Sequence, residues 1–332
     1  MRHWPIPAGV ARCLETLRGA GHAAHPVGGC VRDLLLGRTP GDFDVCTSAR
    51  PEETLALFDR AVPTGLKHGT VTVLTEDGPV EVTTFRREGG YADGRHPDAV
   101  TFDAGLAEDL ARRDFTINAM ALAPDGEVVD LWGGLADLRA GIVRCVSDPD
   151  RRFGEDALRM LRAVRFSAQL GFTIAPDTLA ALRRNASRTA LVSGERIKAE
   201  LEKTLLSPRP QTVGEMVELG LLAHLWPVTA CPDLADLATV PPEQIPRWRA
   251  FCERTGFPIA VLPVERALRR GVLYPEEKVI HSLALSGGEL AGLGLRGAEI
   301  GAMQKRLARH VLARPEDNEK ERLLALVQSW RG

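Results

Sequence analysis

Residues 27–47 read VGGCVRDLLLGRTPGDFDVCT, and the fold follows from how that stretch is parsed. A short apolar run over 23–27 stops at Gly28-Gly29, and apolar residues return at helical spacing over 31–36. A strand, a glycine turn and a helix are therefore expected in succession. Beyond Pro40-Gly41, Phe43 and Val45 alternate with Asp42 and Asp44, the two-residue period of a strand. Side chains at i and i+2 on a strand share a face, so Asp42 and Asp44 can share one divalent cation. Two like charges that close repel unless a metal or a base neutralises them. The plainer alternative is a Pro-Gly-Asp turn followed by solvated acids. What weighs against it is the Gly28-Gly29 pair, whose backbone N–H groups can approach an anion at a helix N-terminus, with Arg32 on that helix facing the same phosphates. A phosphate cradle beside two carboxylates is the layout for metal-assisted phosphoryl or nucleotidyl transfer.

Outward from this core, a helix is expected over 8–17 and alternating, β-rich strands over 71–73 and 80–85. Two Mg²⁺ ions usually need a further acid, and Glu81 on the second of these strands is the candidate, its alternative being an exposed strand residue. Residues 86–100 hold three Gly, a Pro and several charges, which reads as a mobile loop. After about residue 150 the texture changes to Leu, Ala and Arg at 3.6 spacing, so the second half is expected to be all-helical. Proline clusters at 208–210 and 227–246 are the candidate boundaries.

Two further clusters carry chemistry. In RRDFTINAM (112–120), Asp114 and Asn118 would share a helix face beside Arg113 and could bond sugar hydroxyls, and Asp114 also reads as an N-cap. In DPDRRFGEDALRMLRAVRF (148–166), Asp156, Arg159, Arg162 and Arg165 progress along one side of a helix. Such a stripe is commonly a solvated face. Its chemistry is nonetheless specific. Cytosine and adenine both present an exocyclic amino donor next to a ring-nitrogen acceptor, whereas uracil and guanine reverse that order. A carboxylate acceptor beside an arginine donor therefore suits C and A and clashes with U and G. Asp156 and Arg159 are the expected base-selecting pair, with Arg162 and Arg165 left for phosphate.

The 332 residues carry 42 Lys+Arg against 44 Asp+Glu, a net charge of −2, with 44% hydrophobic and 26% charged residues. That is ordinary globular composition, and a chain this long buries about 75% of its unfolded surface, so it needs no disulfide or metal staple. Residues 151–209 alone hold 12 Lys+Arg and 6 Asp+Glu, a local balance of +6 suited to a phosphate backbone. The six cysteines form no C-x-x-C pair and read as reduced thiols. The opening MRHWPIPAGVARC lacks the apolar region of a signal peptide, and no run approaches a membrane span, so a cytoplasmic protein is expected. G-x-x-x-x-G-K-[ST], H-E-x-x-H and G-x-S-x-G are all missing, which removes P-loop, zincin and serine-hydrolase readings.

Five stretches in order, GGCVRDLLLGRTPGDFD, RRDFTINAMA, VVDLWGGLADL, DPDRRFGEDALRMLRAVRF and SGERIKAEL, resemble the successive motifs of class II tRNA nucleotidyltransferases, the CCA-adding enzymes. Bacterial poly(A) polymerases share much of the set. The resemblance covers roughly residues 25–205. It implies an α+β protein with a mixed-sheet nucleotidyltransferase head (1–145), a helical neck that selects nucleotides (146–207) and a helical body and tail that bind RNA (208–332). Asp42 and Asp44 match its metal-binding carboxylates, and Gly29 and Arg32, next to Gly28, match nucleotide contacts. Arg113 and Asp114 match the motif that meets the ribose, Asp156 and Arg159 the pair that templates CTP and ATP, and Arg162 and Arg165 further nucleotide contacts. Glu195 and Arg196 match a neck motif that supports the switch between bases. The implied activity is metal-dependent addition of CMP and AMP to the 3′ end of tRNA, with Mg²⁺ as cofactor. Addition of CC alone or A alone, poly(A) synthesis, and a silent RNA-binding module stay open as alternatives. The last is disfavoured by the retained acid pair.

Overall fold

Four runs expected to be strands, near 24–27, 44–47, 70–75 and 78–84, form strands, the last two with alternating burial. In a computed structural model that describes residues 4–89, 99–228 and 230–331, the first strands are β1 (Ala24–Val27) and β2 (Asp44–Thr47). They are followed by β3 (Ala61–Gly65), β4 (Thr70–Thr75) and β5 (Gly78–Thr84). Val71, Val73, Val80 and Val82 are at most 3% exposed, while Glu81 between the last two is exposed. One sheet face is thus core and the other open. The valine face is covered by α1 (Ala8–Gly19), whose Val10, Cys13, Leu14 and Leu17 are buried at i, i+3, i+4 and i+7. It is also covered by the short α3 (Pro51–Leu57), which follows α2 (Gly29–Leu35) in the chain.

The expectation of a loop over 86–100 is corrected at its ends, which pair as a small antiparallel ladder, β6 (Arg87–Gly89) with β7 (Ala99–Thr101). Its central residues 90–98 lie outside the described residues. After α4 (Leu106–Ala111), strands β8 (Met120–Leu122) and β9 (Val128–Asp130) complete a seven-stranded mixed sheet in the order β3-β4-β5-β2-β1-β8-β9. Only β2 and β5 run parallel within it. The other pairings are antiparallel.

Helix α5 (Gly134–Ala140) starts where Asp130 Oδ1 and Oδ2 accept the N–H groups of Gly134 and Leu135 at 2.8 and 2.9 Å. That satisfies the orphan donors of a helix start. Gly134 lies so close to the Thr116 carbonyl that any β-carbon there would overlap it. The VVDLWGGLADL motif therefore clamps α5 beneath residues 116–118.

The expectation of an all-helical second half needs one correction. Helices α6 (Pro149–Glu155), α7 (Leu158–Leu170), α8 (Pro176–Asn185), α9 (Gly194–Leu205) and α10 (Val213–Glu218) are interrupted by a strand. That strand, β11 (Thr173–Ile174), pairs in parallel with β10 (Ile142–Val143). Gly171 ends α7 at φ 76°, and the β-branched pair behind it takes an extended course. Helices α7 and α9 pack through fully buried Leu161, Val164, Ile197, Leu201 and Leu205, each worth about 1.5–3 kcal/mol of burial.

The chain divides into two compact units at Asp233/Leu234, inside the proline-rich interval 227–246. The second holds α11 (Gln244–Thr255), α12 (Arg266–Leu273), α13 (Pro275–Ile280), α14 (Gly287–Gly292), α15 (Ala298–Ala313) and α16 (Lys320–Arg331). Its interior includes the buried aromatics Trp248, Phe251 and Phe257 and a cluster of Leu285, Leu290, Leu307, Leu323 and Val327. Among the described residues no helix is long and apolar enough to cross a membrane.

Candidate active site

Asp44 opens β2, and its register partner on the parallel neighbour is Glu81 of β5. The exposed Asp42 stands just before β2 rather than within it. Burial pushes the Asp44 carboxyl up to about 6; Arg113 opposes that shift, and the charges of Asp42 and Glu81 add to it. Three acids thus share one electrostatic neighbourhood with too little positive charge, which a cation relieves. Among the described residues no three His, Cys, Asp or Glu side chains form a ready-made metal cage.

Gly28 faces the carboxylates. Its backbone, at φ 83° and ψ −130°, is a conformation that side chains avoid, and a β-carbon there would lie 2.9 Å from Arg113 Nη1 and 3.9 Å from Asp44 Oδ2. Glycine is what allows the turn to pass between the arginine and the acid. Arg113, its side chain 17% exposed, donates from Nη2 to Asp109 Oδ2 at 3.2 Å. Its Nε is buried with no hydrogen-bond partner among the described residues. Asp109 is fully buried, and the charges of Arg112 and Arg113 outweigh its burial and hold its carboxyl below the usual range.

A continuous polar chain runs from the glycine turn to α7. Arg32 Nη1 donates to Asn118 Oδ1 at 2.6 Å, and Asn118 Nδ2 donates to Asp114 Oδ1 at 3.1 Å. Asp114 Oδ2 accepts from Arg162 Nε and Nη2 at 2.8 and 2.6 Å. Burial opposes ionisation of Asp114, but Arg162 and Asn118 overcome it and hold the carboxyl far below the ordinary range. The helix expected through Asp114 and Asn118 is replaced by an extended Phe115 and a 3₁₀ turn, Thr116–Asn118. That turn folds Asn118 back onto Asp114, so the two meet by another route. Asp114 Oδ1 also accepts the Phe115 N–H at 2.8 Å, but the turn starts after Phe115 without a side-chain cap, so the N-cap expected of Asp114 does not form.

Asp156 and Arg159 come to the same region of the fold, each anchored. Asp156 is not on α7 with the arginines; it occupies the break before it, where Oδ1 accepts the Leu158 N–H at 3.0 Å. A short acid at a helix start is drawn into capping. Arg196 of α9 grips both its oxygens, at 3.2 and 2.7 Å. Arg159 donates to Glu155 Oε2 at 2.7 Å and to the Arg112 carbonyl at 3.0 Å. Arg165 turns to Glu200 at 2.5 Å and to Gln169 at 2.7 Å, a buried tie between α7 and α9. Arg32, Arg162 and Arg165 all contact the Phe166 ring, at 5.2, 5.3 and 4.0 Å from its centroid.

Sequence reasoning passed over Asp109, Glu155 and Glu200, the acids that orient these arginines. Glu155 alone serves Arg151, Arg152 and Arg159. The signal was present for two of them: Asp109 precedes Arg112 and Arg113 by three and four residues, and Glu155 precedes Arg159 by four, the spacings at which helical side chains meet.

An open mixed sheet with neighbouring acids on adjacent strands, facing a glycine turn and buried arginines, defines a nucleotidyltransferase head. Comparison with known proteins agrees. Residues 24–144 match the family model described as poly A polymerase head domain, and 171–231 the one described as probable RNA and SrmB-binding site of polymerase A. The CCA-adding enzyme of Levilactobacillus brevis is 50% identical over 238 residues, 71% of this chain and 58% of that protein. That of Anoxybacillus flavithermus is 45% identical over 243 residues, 72% of this chain and 61% of its own length. The matched part therefore spans about three-fifths of these curated relatives. The solved Bacillus stearothermophilus CCA-adding enzyme in complex with CTP superposes with a TM-score of 0.63 at 31% identity, covering 97% of both chains. The chain belongs to the family of class II tRNA nucleotidyltransferases, the CCA-adding enzymes, and bacterial poly(A) polymerases.

Proposed function

We propose that this protein adds CMP and AMP from CTP and ATP to the 3′ end of tRNA, as complete CCA addition or as its CC or A step, releasing pyrophosphate. The observation that carries the reading is the meeting of Asp42, Asp44 and Glu81 with Arg113 at the Gly28 turn. The names of the relatives, CCA-adding enzymes, and the CTP bound to the Bacillus stearothermophilus protein support the substrate class. The mechanism is in-line attack of the RNA 3′-hydroxyl on the α-phosphate.

In this reading Asp42 and Asp44 hold Mg²⁺, two ions being expected, with Glu81 beside them. When bound, the ions lower the pKa of the attacking hydroxyl and neutralise charge on the leaving pyrophosphate. Arg32 and Arg113, with the backbone N–H groups after Gly28, bind the polyphosphate. Asp114 and Asn118 orient the ribose. Asp156 keeps acceptor capacity on both oxygens despite Arg196, and Arg159 has five N–H donors of which Glu155 and the carbonyls of Arg112 and Arg152 engage only part. The pair therefore still offers the acceptor and donor that cytosine and adenine require. Arg162, a third exposed, contributes to phosphate binding, and Arg165 acts from behind it.

The head at 1–145, the selecting neck at 146–207 and the RNA-binding body and tail at 208–332 complete the assignment. Six free cysteines support a cytoplasmic location. Poly(A) synthesis is the second reading, favoured by the description of the matching head model. Purified protein given tRNA transcripts ending before CCA, after C and after CC, with labelled CTP or ATP, separates them. Addition that stops at CCA supports the proposal, and unlimited AMP addition replaces it with the second reading. No incorporation on any transcript refutes both.

A further inference from the structure

The sheet continues beyond the carboxylates, and its open face there has a composition that the chemistry above does not use. Register sets Asp44 beside Glu81, Glu81 beside Thr72, and Thr72 beside Val62 on the edge strand β3. Hydroxyls on this face meet across strands: Thr64 and Thr72 Oγ1 are 2.8 Å apart, and Thr70 and Thr83 Oγ1 are 3.1 Å apart. Around them stand three exposed aliphatic side chains, Val62 and Leu66 at 43% and Leu74 at 38%. Exposed Lys67 lies in the turn that closes β3 onto β4.

Such a surface is wrong for a polyphosphate, whose charge calls for the arginines on the other side of the carboxylates. It suits a sugar-phosphate strand. Each threonine pair uses one hydroxyl hydrogen internally and keeps the other, along with its remaining lone pairs, for a ligand. Hydroxyl contacts to phosphate and ribose fix position without reading a base, and the aliphatic groups offer packing to base faces. Neighbouring strands lie about 4.8 Å apart, so Thr72 is one strand and Val62 roughly 10 Å from the Glu81 line. That is the reach of the residues just behind a terminal hydroxyl seated at Asp44. We infer that the open face of β3–β5, centred on Thr72 and Thr64, seats the last nucleotides of the RNA acceptor. The inference rests on the nucleotidyl-transfer reading and deepens it by giving the growing RNA end its own surface. Backbone-only recognition fits an end whose identity changes with each addition.

The test uses the full chain with Thr72→Val and the double variant Thr64→Val/Thr72→Val. Valine keeps the branched shape and strand preference, and both sites are solvent-accessible, so folding is retained; an unchanged thermal midpoint verifies this. The double variant is expected to raise the KM for tRNA about tenfold while shifting the KM for CTP and ATP by less than about twofold. A 2′-deoxy substitution at the penultimate nucleotide should weaken wild-type turnover and leave the double variant indifferent. Val62→Asp, which puts a negative charge on the same face, should raise the tRNA KM further at low salt. An unchanged tRNA KM in the double variant, or an equal rise in the nucleotide KM, overturns the inference while leaving nucleotidyl transfer intact. Absence of incorporation by the wild-type protein overturns that parent reading instead, and this inference with it.

Discussion

Gly28→Ala tests whether the turn is built to let Arg113 and Asp44 face one another. Alanine at φ 83° and ψ −130° carries a backbone cost of about 1–3 kcal/mol. Its β-carbon would stand 2.9 Å from Arg113 Nη1, so the guanidinium must move. Arg113 is half-buried and held by a fully buried Asp109, and disturbing that pair adds part of the roughly 3–5 kcal/mol that a broken buried pair costs. A combined loss of about 2–5 kcal/mol, at about 2–4 °C per kcal/mol for a unit of this size, lowers the thermal midpoint by roughly 4–20 °C. A displaced Arg113 should also cut incorporation about 100-fold even at temperatures where the variant is folded, because misplacing a charge-binding group by about 1 Å has that effect. Gly29→Ala is the internal control. There a β-carbon meets nothing nearer than Arg32 Nη2 at 3.6 Å, and the expected stability change is within about 1 kcal/mol. Calorimetry with steady-state incorporation of labelled CMP measures both effects. A Gly28→Ala protein that melts with the wild type and turns over at its rate refutes the geometric reasoning.

Other substitutions probe the remaining parts. Asp42→Ala should reduce incorporation at least about 1000-fold while leaving tRNA affinity within about twofold, read by filter binding beside turnover; retained turnover removes Asp42 from the metal role. Arg159→Ala should lower discrimination against UTP and GTP by about 10–100-fold, measured as ratios of kcat/KM, and unchanged ratios would sink the templating role. Asp114→Asn should cost about 2–4 kcal/mol at pH 7, because Arg162 loses a buried partner. The folded pKa of Asp114 is depressed, so this stabilisation is complete above the unfolded value of about 3.9 and fades as pH falls from there toward the folded value. Urea midpoints of wild type and variant should differ by a constant amount above about pH 5 and converge below about pH 4. A gap independent of pH across that range would remove the ion pair as its cause.

Local pattern made much of the head legible. The valines at 71, 73, 80 and 82 announce one buried face through a two-residue period, and the strands form where that period predicts. Strand β3 escaped because Ala-Val-Pro-Thr-Gly has almost no alternation, and its proline is tolerated only because the strand lies at the sheet edge. Strand β8 escaped for the opposite reason: Met120, Ala121 and Leu122 are buried on both faces, so no polar residue marks a period. The 3₁₀ turn at Thr116–Asn118 depends on Gly134 packing against the Thr116 carbonyl, a contact between residues far apart in sequence that no local pattern encodes.

The charge arithmetic shows where a sequence-level statement stops being physical. Residues 151–209 carry a balance of +6, but a field depends on which charges are already paired. Arg151, Arg152 and Arg159 converge on Glu155, Arg165 on Glu200, Arg196 on Asp156 and Lys198 on Glu202. Arg162 and Arg184 are matched by Asp114 and Asp150 from outside the window. Exposed Arg183, Lys203 and Arg209 make no such pair among the described residues. The same basic composition thus does two jobs that composition cannot separate. Paired arginines hold the α7 region rigid around the site, and the exposed remainder near the ends of α8, α9 and the 208–210 turn is what a polyanion can reach. Neutralising Arg183, Lys203 and Arg209 together should therefore weaken the salt dependence of tRNA binding, whereas neutralising Arg165 should lower stability first. The number of phosphates contacted, read from the slope of log affinity against log salt, distinguishes the two classes: a slope that falls for Arg165→Met without a change in thermal midpoint would invert the assignment.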